Sequence, residues 1–164
     1  MFETGLLFAQ TVATGGIAAW MFTGVRDNIL YPSQNETYTT EVMEMRRIKE
    51  GYPEAFAPVA HRPVTDRRAQ LWAFRVVVVS EAVACLILVA GTLALVLALL
   101  GIVGPDTARG LALIGGALFT CVWMGMLIVG NHFCYWFGHE GAQFTHFQMC
   151  LWGLGTMILL AMPG

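Results

Sequence analysis

The feature that most constrains this chain is its succession of long apolar runs. Ala82 to Leu100 contains no charged residue, within a run that extends from Leu71 to Gly101. A hydrocarbon core of about 30 Å needs roughly 20 apolar residues in a helix, so this segment is long enough to cross a membrane. Leu6–Val25 is a second uncharged stretch of that length, and two more follow at about 108–130 and 144–162. Composition agrees with this reading. Only 12% of residues are charged and 57% are hydrophobic, whereas soluble domains carry about 25% charged residues. The expected fold is all-α: an integral membrane four-helix bundle forming one domain over 1–164, with spans at about 6–25, 71–101, 108–130 and 144–162.

Residues 26–70 form a polar interlude too long for a simple turn, and it holds seven of the nine Lys and Arg residues. Tyr38, Val42, Met45 and Ile48 recur there at helical spacing. Ser33-Gln34-Asn35-Glu36 has the form of a capping box, while Gly51 and Pro53 supply a stop. The pattern predicts an amphipathic surface helix over about Gln34–Glu50, lying on the membrane or against a partner. Four spans put both termini and the Gly101–Gly110 turn on one side, with loop 26–70 and the Asn131–Gln143 turn on the other. The positive-inside rule then expects loop 26–70 in the cytoplasm and the termini in the periplasm. A net charge of −2 offers no basic patch, so nucleic acid is not an expected partner. The four cysteines form no CxxC pair, which indicates neither a zinc site nor a disulfide framework.

Most of the unusual polar residues gather near one membrane face: Arg75, Glu81, Asn131, His132, Glu140, Gln143 and His146. An acid at mid-bilayer costs about 2.5–3.5 kcal/mol on insertion scales, so Glu81 needs a partner, a proton or a shallow depth. It is expected to bond Asn131, His132 or Gln143, to contact a lipid, quinone or partner subunit, or to handle a proton. The stretch Gly130–Trp152 holds three of the four histidines and seven aromatic residues, as an interfacial belt would. No cofactor is required by this pattern. Histidines on neighbouring helices can nevertheless hold haem b, for which His132 and His146 are the candidates. A metal would draw on His132, His139, Glu140 and His146. Small residues at Gly15, Ala19, Gly115, Gly116, Gly125, Gly153 and Gly155 mark expected close helix packing. No nucleophile–base pair, phosphate loop or HExxH pattern is present, so catalysis by side chains is not indicated.

Three groups of residues together resemble a known family. A polar segment runs from Asn35 to Met45. The second span opens Val76-Val77-Val78-Val79-Ser80-Glu81-Ala82, and the aromatic turn reads Trp136-Phe137-Gly138-His139-Glu140-Gly141-Ala142-Gln143-Phe144. This order is similar to that of the bacterial predicted small integral membrane proteins of domain of unknown function 2165. The turn departs from the family's pattern at His139-Glu140 and at His146. The resemblance implies a multi-span protein of the bacterial inner membrane and carries no activity. Three roles are then expected: an accessory subunit on a larger respiratory or photosynthetic membrane complex, a haem- or metal-binding redox protein, or an oligomer handling lipid or a small molecule around Glu81.

Overall fold

The computed structural model describes residues 1–162; Pro163 and Gly164, at the end of the expected domain, lie outside the described residues. Among the described residues the regular elements are all helical, with no strand. These are α1 (Phe2–Leu30), α2 (Pro32–Met43), α3 (Arg46–Gly51), α4 (Pro53–Phe56), α5 (Arg67–Leu99), α6 (Pro105–His132) and α7 (Glu140–Leu160), with a 3-10 turn at Ala57–Val59. Three helices, α1, α5 and α6, are long and apolar enough to cross a membrane. The sequence reading counted four. Helix α7 has 21 residues, about 31 Å at 1.5 Å per residue. It carries Gln143, His146 and Gln148 in its first half and is not among those three.

Helix α5 is central, packing most extensively on α6 and α1, while α6 packs on α7. The crossings are close because small residues stand where a side chain would collide. A Cβ on Gly91 would lie 2.6 Å from Ala112 Cα, and one on Gly115 would lie 3.1 Å from the Leu88 backbone. A Cβ on Gly116 would come within 3.2 Å of Met157, one on Gly15 within 3.4 Å of Thr92, and one on Gly153 would overlap Thr120. Gly125 and Gly155 instead have open space beside them, and Ala19 is exposed. These three face outward and make no close approach within the chain. Ile17, Met21, Leu88 and Phe119 fill the core between α1, α5 and α6.

The expected surface helix over Gln34–Glu50 takes a different form. It is broken in two, because Met45 adopts a left-handed backbone (φ 52°) between α2 and α3. The capping box is not made either: the helix begins with Pro32 in its first turn, and no side chain caps it. The apolar residues do not lie on a membrane surface. Met45 and Ile48 are buried against Phe133 and Cys134 of the α6–α7 turn, with Phe56, Val59 and Phe137 around them. Arg47 Nη1 donates to Gly138 O at 2.6 Å and Arg62 Nη1 to His132 O at 3.1 Å. The polar interlude therefore forms a cap folded onto the end of the bundle. The burial of its apolar face, about 25 cal/mol per Å², holds it there.

Candidate functional site

The cap covers one end of the helices, and the buried polar groups at that end form two clusters beneath α2. In the first, Asn28 Nδ2 donates to Glu81 Oε2 at 2.7 Å, and Asn35 Nδ2 donates to Asn28 Oδ1 at 2.6 Å. Glu81 is 6% exposed and Asn28 is 7% exposed. A hydrogen bond to a charged group contributes about 1.5–3 kcal/mol, so this partner offsets much of the cost of the buried acid. The sequence reading gave Glu81 to Asn131, His132 or Gln143; the partner is Asn28 of α1. A shallow depth was the other way for this acid to avoid the cost of mid-bilayer burial. Pairing with Asn28 puts it level with the Arg26–Asp27 charges at the end of α1. From Glu81 to Leu99, α5 still runs about 27 Å, close to a full hydrocarbon thickness. Glu81 thus stands at the edge of the apolar zone, and α5 continues past it into the cap.

The second cluster is aromatic. The His146 ring lies 5.4 Å from that of Trp123 and stacks on Tyr135 at 6.0 Å. Tyr135 folds back onto α6, where a Cβ on Gly130 would lie 2.8 Å from its ring. The next residues of the turn, through Gly138 (φ 86°), lead to His139, which caps α7 and meets the Tyr38 ring edge-on at 4.8 Å. Arg47 lies 5.6 Å above Tyr38 and also donates to Glu41. Several polar atoms here have no partner among the described residues: Trp123 Nε1, Tyr135 Oη, His146 Nδ1 and both ring nitrogens of His139. Tyr135 and His139 are 3% and 4% exposed. Burial pushes the Tyr135 hydroxyl up to about 12, with smaller contributions from Cys150 and Tyr38. Burial, and then the Arg47 charge, pull His139 below the usual histidine value. The Tyr135 hydroxyl and the His139 ring are therefore neutral at pH 7. Asn35 and Tyr38, three apart on α2, reach the two clusters from above.

The other expected site residues are spread around this end. Arg75 is exposed and lies over Trp72 at 5.9 Å. Asn131, His132 and Glu140 are exposed, and Gln143 is half-buried. His132 stands against Phe133. Gly130 and His132 differ by about 200° around the helix, so His132 faces away from the side that Tyr135 and His146 occupy. The pair does not fit a haem iron held between them. No three His, Cys, Asp or Glu side chains converge as metal ligands among the described residues.

Two open grooves mark the outer cap, of about 320 and 600 Å³, the first lined by Glu36, Arg67 and Gln70 and both by Glu44 and Arg46. Two of the lining pairs are matched internally, Arg67 with Glu36 and Arg46 with Glu44 at 2.7 Å, and Lys49 and Glu50 also line the second groove.

The family model for predicted small integral membrane proteins, domain of unknown function 2165, matches residues 6–163. The chain belongs to this family. No curated protein and no solved structure matches it. Membership confirms the resemblance drawn from the Asn35–Met45 segment, the Val76–Ala82 opening and the aromatic turn, and it makes the chain a small integral membrane protein.

Sequence reasoning missed Asn28, Trp123 and Tyr135. Asn28 could have been found by asking which polar residue of the first run reaches the depth of Glu81. Tyr135 follows Gly130 by five residues, but only a turn that folds back brings the two together.

Proposed function

We propose that the chain is a ligand-binding membrane protein whose site is the polar layer beneath α2, and that it takes a small uncharged amphiphile with hydrogen-bond-accepting oxygens. One observation carries this reading: Trp123 Nε1, Tyr135 Oη and His146 Nδ1 lie unpartnered around one group of stacked rings. A buried polar group left unpaired costs about 1–3 kcal/mol, so three together favour an occupant. The Trp123 and Tyr135 donors are neutral, and the nearby cations are engaged elsewhere, Arg47 on Glu41 and Gly138 and Arg62 on His132. An uncharged headgroup, such as a quinone or a glyceride carbonyl, suits that chemistry. Glu81, Asn28 and Asn35 brace the helix over the site. No chemical step is assigned to it.

The same reading takes α7 as a fourth span, which is supported by its packing along α6 and by the Gln10 Nε2 bond to Leu159 O at 2.8 Å. It sets the protein in a bacterial inner membrane, with loop 26–70 cytoplasmic and the termini periplasmic. Cysteine labelling from each side tests this: Ser33 and Pro58 should react with Gly141 from one face, and Glu3 with Asp106 from the other. Ser33 and Gly141 on opposite faces would remove the fourth span.

The binding test titrates protein in mild detergent with a short-chain ubiquinone analogue and a short-chain diacylglycerol, following thermal stability. Tyr135→Phe and Trp123→Phe should each weaken the response about tenfold. Equal responses in folded variants and wild type would sink the reading. A second role, docking on a larger complex or a second copy, is supported by the outward-facing Gly125 and Gly155. Co-purification of a stoichiometric partner, lost on Gly125→Leu, tests it.

A further inference from the structure

The opposite end of the bundle holds a buried cation that the ligand-binding reading does not use. Arg109, in the second turn of α6, is 8% exposed. Its Nε donates to Gln10 Oε1 at 3.0 Å. Gln10 is fully buried, and its own amide nitrogen is committed to Leu159 O, so its oxygen has a set direction and holds the guanidinium in place. Nη1 reaches Asp106 Oδ1 only at 3.4 Å, and Asp106 is fully exposed to solvent. Nη2 has no partner among the described residues.

Side chains on a helix lean toward its N-terminus, and the Asp106 contact puts the guanidinium beside the first turn of α6. That turn starts at Gly104-Pro105 and has no side-chain cap. Its backbone N–H groups and the positive end of the helix dipole therefore lie beside the same guanidinium. Leu100 and Ile102 are exposed on the adjoining turn, as they would be beside lipid.

We infer that the α6 N-terminus and Arg109 form a binding site for a phosphate-type anion, supplied by an anionic phospholipid headgroup or by free phosphate. The fork of Arg109 offers Nη2 to a phosphate oxygen, while Gln10 keeps Nε oriented. Asp106 competes for the same guanidinium from its solvent side.

The test uses the full chain in a neutral maltoside detergent, with native mass spectrometry and thermal stability as readouts. The probes are dioctanoyl phosphatidylglycerol, dioctanoyl phosphatidylcholine and inorganic phosphate. Phosphatidylglycerol should bind and stabilise well above phosphatidylcholine, and Arg109→Gln should weaken it about tenfold. Stabilisation by inorganic phosphate at millimolar concentration, also lost in Arg109→Gln, would support the site with the free anion as its source. Asp106→Asn should bind more tightly than wild type, and it carries the test if Arg109→Gln does not fold. Equal phosphatidylglycerol binding by wild type and Arg109→Gln would overturn the inference, as would weaker or unchanged binding by Asp106→Asn.

Discussion

Gly130→Ala probes the contact on which the aromatic cluster rests. The added Cβ would stand 2.8 Å from three ring atoms of Tyr135. Carbon atoms sit comfortably at about 3.5–4.0 Å, so the ring must retreat by roughly an ångström. Overpacking of this kind costs about 1–3 kcal/mol. Alanine in a helix recovers about 0.8–1.0 kcal/mol over glycine, leaving a net loss of about 0–2 kcal/mol. Gly125→Ala, on the same helix, is the control. Nothing lies within 4 Å of its new Cβ, so only the propensity gain should appear. The two variants should differ by about 1–3 kcal/mol, which at about 2–4 °C per kcal/mol is a clear separation of melting points. Thermal unfolding in detergent gives the magnitude. Near-ultraviolet circular dichroism reports whether Tyr135 and Trp123 have shifted, which should happen for Gly130→Ala alone. If both variants melt together with unchanged spectra, Tyr135 does not rest on Gly130 and the cluster is not built as described.

Further expectations concern the remaining parts of this end. Asn28→Leu should destabilise the fold by about 1–3 kcal/mol, because it strands the Glu81 carboxylate, whereas Glu81→Gln keeps a hydrogen-bonding partner and should cost less; equilibrium unfolding separates them. His139 is held below its ordinary value of 6.5, so the unfolded chain binds more protons in mild acid, and stability should fall as pH drops below about 6.5. His139→Phe should remove part of that slope in a pH series of melting curves. Tyr135, raised from 10.0 to about 12, favours the folded state below pH 10, and that contribution should be lost as pH climbs toward 12; a spectrophotometric tyrosine titration beside the melting curves checks it. Ile48→Ala should cost about 2–5 kcal/mol of cap stability and expose the 31–66 segment to limited proteolysis while α5 and α6 stay protected.

The sequence alone determined the class of the protein. Runs such as Ala82–Leu100 can satisfy their backbone in hydrocarbon only as helices, so α1, α5 and α6 were legible to within a few residues at most ends. Family membership was legible as well, since it rests on the local order of polar and aromatic groups along the chain. Partners were not. Glu81 announces that it needs one, but the choice of Asn28, 53 residues earlier, depends on how α1 crosses α5. Periodicity in residues 34–50 reported an apolar face without saying what covers it, and the left-handed turn at Met45 lets that face close on the α6–α7 turn. Arg109 lies within the expected Gly101–Gly110 turn, and only the packed helices bring Gln10, itself held by Leu159 O, against it. Local pattern decides which segments are helices because backbone hydrogen bonding and hydropathy are short-range along the chain. Which polar groups meet, and which remain unpaired, depends on the depth and rotation of each helix against its neighbours, and only the packed structure sets those.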